Sequence, residues 1–383
     1  MTFLKLKNTT ILEFNIDTDD YYINHENLLP FSLRNSLIDS RNKDFSLNAA
    51  RNNYQMLISF LFNRSISIKR TNAKRLLNAL HISQGNDIKT KIDMMLLCKA
   101  LSASDYYWLS NNPNERWENV NLWDNPLHEA IAQISLTGVS PLTITGNIRT
   151  PELTGQGVYA KAWYRENGQL FLYKANTQNG HESEIEVSVS NILNCTNVPH
   201  VEYTLANKDG ITCCVCKNIC TEKYNLIPAQ EVYGWCNRTN KNFIRFTRAL
   251  DDTNFCKTLI VDYLIANSDR HDQNWGFYMD INSGDLVSLH PLFDHNNAFD
   301  ERDYHDITGN DSLMLPNASK LEAAKFALKR CNFKFISPLT RTMFPNDKSF
   351  ACFIERANYI GLSPKVISSG FLKSELITQK NKE

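Results

Sequence analysis

One stretch in the C-terminal half of the chain repeats its apolar positions with the period of a helix. Phe255, Leu259, Ile260 and Leu264 fall on one face of that helix, and the pattern ends at the polar Asn267. A continuous apolar face is typical of a helix buried in a protein interior. The sequence therefore predicts a polar loop that leaves the end of a buried helix.

Shorter patterns lie on both sides of this helix. Residues 182–193 carry apolar positions at helical spacing and predict another helix. After the loop, residues 275–279 and 286–289 predict two short strands joined by a turn.

A predicted hairpin lies further towards the N-terminus, where an Asn-Gly pair separates two strand-like runs. Asn-Gly is the strongest short-range hairpin signal, because both central residues of a type I′ turn need positive φ. With Asn167 and Gly168 as the two loop residues, counting outward places Lys161 opposite Lys174. Directly opposed like charges destabilise a sheet by up to about 1 kcal/mol, so this pairing suggests a bound polyanion such as ATP phosphate. The alternative is a longer loop or a bulge, with one lysine turned to solvent.

The N-terminal third of the chain mixes both kinds of pattern. Residues 1 to about 35 are strand-prone, whereas residues 46–80 and 88–109 predict helices. A cluster of basic residues in this region predicts a solvated helix face rather than a nucleic-acid or phosphoprotein site. The cluster consists of Arg64, Lys69, Arg70, Lys74 and Arg75.

Composition narrows the class of protein. The 383 residues are 42% hydrophobic and 21% charged, as in an ordinary globular protein, and the formal net charge is zero. A chain without net positive charge shows no excess of basic residues that would favour binding to nucleic acid or to an anionic membrane. The sequence shows neither a signal-peptide pattern nor an apolar run near the roughly 20 residues of a membrane span, so we expect a cytoplasmic protein. The ten cysteines are interpreted as reduced thiols that serve as small apolar residues rather than as zinc ligands.

The loop after the buried helix carries the groups that phosphoryl transfer from ATP requires. Magnesium prefers oxygen ligands and needs few of them from the protein, and Asn274 and Asp294 are the candidates. Asp269 is the candidate general base, five residues before Asn274, the spacing found in kinase catalytic loops. His271 is a second candidate catalytic residue, although bracing the loop by hydrogen bonds is its simpler role. The alternative for the whole stretch is a polar surface loop.

Further candidates for binding ATP come from the N-terminal side. Gly155 and Gly157 precede the hairpin and would let the backbone approach phosphate oxygens. On the predicted helix at 182–193, Glu186 is the first choice, and Glu184 the next, to pair with Lys174. Acidic residues in the first turn of a helix are also favoured by its dipole, which is the alternative explanation.

Together these motifs resemble the HipA-like kinases over roughly residues 140 to 300. The most specific parts of the match are the Asp-Arg-His-x-x-Asn loop at Asp269 and the later Phe-Asp at Asp294. The resemblance implies a serine/threonine protein kinase with ATP and Mg²⁺ between two lobes. It also implies that Asp269 is the catalytic aspartate, Asn274 and Asp294 are metal ligands, and Lys174 is the phosphate-binding lysine. Residues 215–219, which include Lys217 and Ile219, would then connect the two lobes, and their backbone groups would meet adenine.

The expected architecture is α+β, with a bilobal kinase-like fold. Residues 1–135 would form an accessory region, mixed but largely helical. Residues 136–228 would form a β-rich N-lobe, and residues 229–383 a mainly helical C-lobe.

Some members of this family phosphorylate themselves. The candidate acceptors here are Thr154 and Thr150 near the glycines, and Ser312 and Thr308 after Asp294.

The protein substrate and the partners are harder to predict. Family members that act as toxins work with a small DNA-binding antitoxin and share an N-terminal subdomain, to which residues 1–135 show no recognisable likeness. An antitoxin-like partner is therefore open but has no support in the sequence. Two rival functions also stay open: a catalytically silent nucleotide-binding module, and a phosphoinositide-type lipid kinase, which would be expected to carry a basic patch facing the membrane.

Overall fold

The chain forms two compact units, each built from several segments. In this computed structural model the described residues are 1–15, 18, 20–83, 88–140, 144, 148–155, 157–178, 180–300 and 306–367. The first unit comprises residues 1–179, 206–243 and 276–288, and the second comprises residues 180–205, 244–275 and 289–383. The expected accessory region and the expected N-lobe thus both contribute to the first unit.

The first unit begins with an antiparallel sheet in the order β3-β2-β1-β4. The strands are β1 (Thr2–Leu6), β2 (Thr9–Asn15), β3 (Asp20–Ile23) and β4 (Tyr107–Ser110). Between β3 and β4 the chain forms α1 (Leu47–Arg64), α2 (Ala73–Ala79) and α3 (Ile88–Leu97).

The helix predicted for residues 88–109 is wrong in its second half, where β4 forms instead. Leu6 of β1 pairs with Tyr107, so the partner that selects the strand lies about 100 residues away in the sequence. The aromatic side chains of β4 suit a buried strand, and all four of its residues are buried. Local helical spacing could not reveal a pairing of this range.

The predicted solvated basic face is also wrong for two of its five residues. Lys69, Lys74 and Arg75 are exposed, as predicted. The Arg64 side chain instead pairs with Asp105 at 2.6 Å, and both side chains are largely buried. Arg70 is buried as well.

A second sheet of the first unit contains the predicted hairpin. Its order is β5-β6-β8-β7, and the apolar face of a helix, α4 (Glu129–Thr137), packs against it. After residues 180–205, which belong to the second unit, the chain returns to the first unit within β7. The third sheet of the first unit has the order β11-β10-β9. These strands are β5 (Lys161–Glu166), β6 (Gln169–Ala175), β7 (Tyr203–Lys208), β8 (Ile211–Lys217), β9 (Tyr224–Pro228), β10 (Gly276–Asp280) and β11 (Leu286–Leu289), and α6 (Ala229–Arg238) follows β9.

The second unit is mainly helical. Its helices are α5 (Glu182–Leu193), most of α7 (Phe243–Leu264), α8 (Lys320–Leu328) and α9 (Asp347–Tyr359), and its parallel strand pair is β12 (Leu339–Thr340) with β13 (Val366–Ile367). Short 3₁₀ turns occur at 26–28, 117–119 and 341–343.

The long helix α7 is bent where one residue leaves the helical conformation. Asp251 has φ −154° and ψ 72°, and its carboxylate accepts the backbone N–H of Asn254 at 3.1 Å. An aspartate that caps the N–H three residues later starts a new helix. The C-terminal part of α7 is the predicted buried helix, because Phe255, Leu259 and Leu264 are each at most 2% exposed.

Two further findings concern the whole described chain. Among the described residues, no helix combines the length and the apolar character that crossing a membrane requires. The ten cysteines are free thiols and nine of them are buried, consistent with their interpretation as small apolar residues.

Candidate active site

The predicted loop begins where α7 ends, and side-chain hydrogen bonds shape its first turn. The backbone N–H of Asn267 donates to the carbonyl of Asp262 at 3.0 Å, and its side-chain amide donates to Asp262 Oδ1 at 2.9 Å. Asn267 Oδ1 accepts the backbone N–H of Asp269 at 3.2 Å. The helix end thus determines the direction in which the loop leaves.

Arg270 is the buried centre of the site. Its side chain is 2% exposed, and it pairs with Asp262 at 3.0 Å. Its Nη1 donates to the carbonyls of Asn274 at 2.8 Å and Phe293 at 2.7 Å, and its Nη2 is 2.8 Å from His295 Nδ1. A guanidinium has five N–H donors in a fixed fork, so one side chain can hold all of these groups at once. Arg270 therefore brings the loop of Asn274 together with the segment that contains Asp294.

The carboxylate of Asp269 is oriented but accessible. The side-chain amide of Asn297 donates to its Oδ2 at 2.9 Å, and His271 Nε2 lies 3.7 Å from its Oδ1. The Asp269 side chain is 40% exposed, which leaves room for a substrate hydroxyl. An accessible carboxylate held in one orientation suits a general base.

The amide of Asn274 has a defined orientation. Its Nδ2 donates to the backbone carbonyl of Asp269 at 2.8 Å. A carbonyl can only accept, so the nitrogen must lie on this side and the oxygen on the other. The oxygen is the atom that a magnesium ion would use, and the residue therefore fits the role of a ligand.

Asp294, the second candidate ligand, has a left-handed backbone with φ of +62°. This conformation costs most L-residues roughly 1–2 kcal/mol, although aspartate adopts it more readily than most. The carbonyl before it is bound by Arg270, and the N–H after it, from His295, donates to Glu186 Oε2 at 2.9 Å. Buried charged groups on both sides thus hold the left-handed residue.

His271 makes the contacts of a residue that braces the loop. Its Nδ1 accepts the backbone N–H of Gln273 at 3.2 Å, and its carbonyl accepts the N–H of Asn274 at 2.8 Å. Its side chain is 47% exposed.

Two neighbouring groups have shifted pKa values. Burial raises the pKa of the Asp272 carboxyl, although a hydrogen bond with Trp275 opposes the shift. Burial lowers the pKa of His290 to about 4. The ring of His290 stacks on Phe293 with 5.0 Å between centroids, and its Nδ1 donates to the carbonyl of Pro291 at 2.9 Å.

In the first unit, the hairpin has the predicted register. Glu166 pairs with Gln169, and Lys161 lies directly opposite Lys174. A Cβ on Gly157, which has φ +94°, would lie 2.8 Å from Lys161 Nζ. The flexible end of Lys161 could move away from such a Cβ, so it is the positive φ that favours glycine at this position.

A second buried arginine, which the sequence did not reveal as a site residue, holds the glycine loop. Arg70 Nη2 pairs with Glu152 Oε2 at 2.9 Å and also donates to the Ser135 hydroxyl and to the carbonyl of Lys161. Glu152 Oε1 accepts the N–H of Trp163 at 2.7 Å. The two residues are 82 positions apart and belong to no motif, so no sequence signal links them.

The candidate acceptor residues differ in accessibility. Thr150 and Thr154 are buried, and the Thr154 hydroxyl donates to the carbonyl of Leu101 at 2.7 Å. Thr308 is exposed. Ser312 is half-buried and lines a small cavity, together with Leu259, Asp262, Asn267, Arg270, Leu313, Lys320 and Ala323.

The remaining candidates for binding nucleotide lie at the end of β8 and on α5. Lys217 is exposed at the last position of β8, and the carbonyl of Ile219 accepts the hydroxyl of Tyr278 at 3.2 Å. Glu186 lies in the second unit, and its predicted partner Lys174 lies in the first. The assignment of these residues to ATP stays a prediction.

No protein-family model matches the chain, and no curated protein matches it well enough to count as a relative. Among solved structures, HipA of Shewanella oneidensis MR-1, in its complex with HipB and operator DNA, matches with a TM-score of 0.52 over 94% of this chain and 98% of its own, at 13% identity. The chain shares the fold of HipA. The proinflammatory kinase CtkA of Helicobacter pylori also matches, with a TM-score of 0.38, 15% identity, and coverage of 53% of this chain and 89% of its own.

The extent of the HipA match changes the view of the N-terminal region. Because 94% of the chain is covered, most of residues 1–135 must take part in the shared fold. Their sequence shows no recognisable likeness to the N-terminal subdomain of HipA-like toxins. In this region the chain therefore resembles HipA in backbone fold and not in recognisable sequence.

Proposed function

We propose that this chain is an ATP- and Mg²⁺-dependent kinase that phosphorylates serine or threonine on a protein. The observation that carries the proposal is the arrangement around Arg270. That side chain ties the loop of Asp269 and Asn274 to the segment of Asp294 through four hydrogen-bond partners within the second unit. The HipA-like fold supports the same conclusion.

The proposed reaction assigns a role to each group. Asp269 accepts the proton of the substrate hydroxyl. The hydroxyl oxygen then bonds to the γ-phosphorus of ATP, while the bond between that phosphorus and the β–γ bridging oxygen breaks and ADP is released. Asn274 and Asp294 would hold Mg²⁺, which neutralises charge on the phosphates when it is bound. We also assign phosphate binding to Lys161 and Lys174, whose opposed ammonium groups a polyanion would stabilise.

Mass spectrometry of the purified protein after incubation with Mg·ATP tests the proposal. We expect phosphate on the protein itself or on a generic protein substrate. The Asp269→Ala variant should lose transfer by at least about 100-fold while it still binds ATP, because the base acts only in the chemical step. Glu355→Ala, at an exposed carboxylate of the same unit, is the matched control and should transfer normally.

The same experiment separates the rival functions. A folded wild type that binds ATP but labels neither protein nor lipid would favour the silent binding module. Transfer to phosphoinositides alone would favour the lipid kinase.

The acceptor site and the partner are further parts of the proposal. Thr308 is the acceptor most accessible in this structure, whereas Thr150 and Thr154 would have to leave the interior first. HipA of Shewanella was solved with HipB and operator DNA, so a DNA-binding antitoxin-like protein is a partner class that copurification can test.

A further inference from the structure

A buried carboxylate from another helix holds the residue that follows Asp294. The backbone N–H of His295 donates to Glu186 Oε2 at 2.9 Å. Glu186 lies on α5, and both residues are 1% exposed. A hydrogen bond to a charged acceptor is roughly twice as strong as one between neutral groups. α5 is thereby fastened to the segment that carries the candidate metal ligand.

This contact completes a clamp on both peptide groups of Asp294. On one side, the carbonyl of Phe293 accepts from Arg270 at 2.7 Å. On the other side, the N–H of His295 is held by Glu186. Asp294 has φ +62° between them, so relaxing to a negative φ would break one of these buried hydrogen bonds.

We propose that Glu186 is a positioning residue that keeps the carboxylate of Asp294 aimed at the cation, by accepting the His295 N–H. The inference rests on the proposed function. It gives Glu186 a role separate from the lysine pairing that the sequence predicts. Pairing with a lysine requires negative charge, whereas accepting an amide N–H requires only an oxygen in this place. The two roles therefore make opposite predictions for a glutamine.

The test is binding of Mn²⁺, a paramagnetic substitute for Mg²⁺, to the full chain with saturating ADP, measured by electron paramagnetic resonance. Glu186→Ala removes the acceptor and should weaken Mn²⁺ binding about 10-fold or more, as loss of a group that orients a metal ligand commonly does. Glu186→Gln keeps the acceptor oxygen and the volume, and we expect its affinity to stay within about three-fold of wild type. Glu355→Ala, at an exposed carboxylate of the same unit, is the control and should bind normally.

Glu186→Leu is a second variant without an acceptor, and it fills the buried space if Glu186→Ala unfolds. If Mn²⁺ binding weakens equally in the glutamine and the leucine variants, the charge of Glu186 is what matters. If Mn²⁺ binding is normal in both variants, the contact with His295 does not matter. Either result overturns the inference while the proposed function stands. A folded wild type that binds no Mn²⁺ with ADP would overturn the proposed function, and the inference with it.

Discussion

In both units a buried arginine–carboxylate pair holds a loop, but the two partners are separated by very different distances in the sequence. In the second unit, Arg270 pairs with Asp262 eight residues before it. In the first unit, Arg70 pairs with Glu152, 82 residues away. Both arginines also donate to backbone carbonyls of the loops they hold, at Asn274 and at Glu152 respectively.

The difference shows what a motif contains and what it leaves out. Arg270 stands inside the Asp-Arg-His-x-x-Asn loop, so the motif includes the side chain that assembles the site. Arg70 comes from the N-terminal region, outside the span of the family resemblance. The glycine loop therefore depends on residues 1–135, even though no sequence pattern connects the two.

The largest effect is expected from Arg270→Lys, which keeps the charge and loses the fork. A lysine has three donors at one point and cannot serve Asp262, two carbonyls and His295 together. We expect a loss of about 3–5 kcal/mol in the free energy of unfolding, because a single ammonium leaves some of these buried groups without a hydrogen-bond donor. Phosphoryl transfer should fall at least about 100-fold even at temperatures where the variant is folded. Arg245→Lys, at an exposed position of α7, is the control for unfolding in denaturant and for activity.

Breaking the pair in the first unit should cost somewhat less, and part of the cost should be recoverable. Arg70→Met leaves the carboxylate of Glu152 buried without its cation, and we expect a loss of about 3 kcal/mol. The double variant Arg70→Met/Glu152→Leu removes that buried charge, so it should be more stable than Arg70→Met alone. Denaturant unfolding of the wild type, both single variants and the double variant measures the coupling. Simple addition of the two single losses would contradict a direct interaction.

A smaller perturbation of the Arg70–Glu152 pair is expected from Gly155→Ala. A Cβ at this position would lie 2.7 Å from Arg70 Nη1, which is fixed by its hydrogen bonds. The guanidinium must shift, and we expect a loss of about 1–2 kcal/mol in the free energy of unfolding. Gly234→Ala lies within α6, where the nearest atom is 3.4 Å away, and should leave stability unchanged or raise it slightly. Equal effects of the two variants in thermal unfolding would argue against contact with Arg70.

The features that could be predicted from the sequence are those whose interacting residues lie close together in the chain. The Lys161 to Lys174 register was readable because an Asn-Gly turn determines it locally, and α5 and the end of α7 were readable from their apolar spacing. β4 was missed because β1, its partner, lies about 100 residues away. The link between Glu186 and His295 spans 109 residues and ends on a backbone N–H, which leaves no side-chain signature.

The smallest predicted effect is an acid sensitivity of the second unit. His290 stacks on Phe293, whose carbonyl binds Arg270, and burial lowers the pKa of His290 to about 4. The unfolded chain has an ordinary histidine pKa near 6.5, so it binds more protons than the folded chain between these values. The stability that the neutral ring supports is fully present above about pH 6.5 and falls as the pH drops towards 4.

His290→Gln should remove this dependence. Between pH 7 and pH 5 we expect the wild type to lose on the order of 1 kcal/mol more than the variant, because only the wild type must keep a buried imidazole neutral. Thermal unfolding at several pH values measures the difference in slope, with His25→Gln, at an exposed histidine, as the control. Parallel slopes for wild type and His290→Gln would mean that the ring becomes protonated without disturbing Phe293. In that case the clamp of the second unit would be no more sensitive to acid than the rest of the molecule.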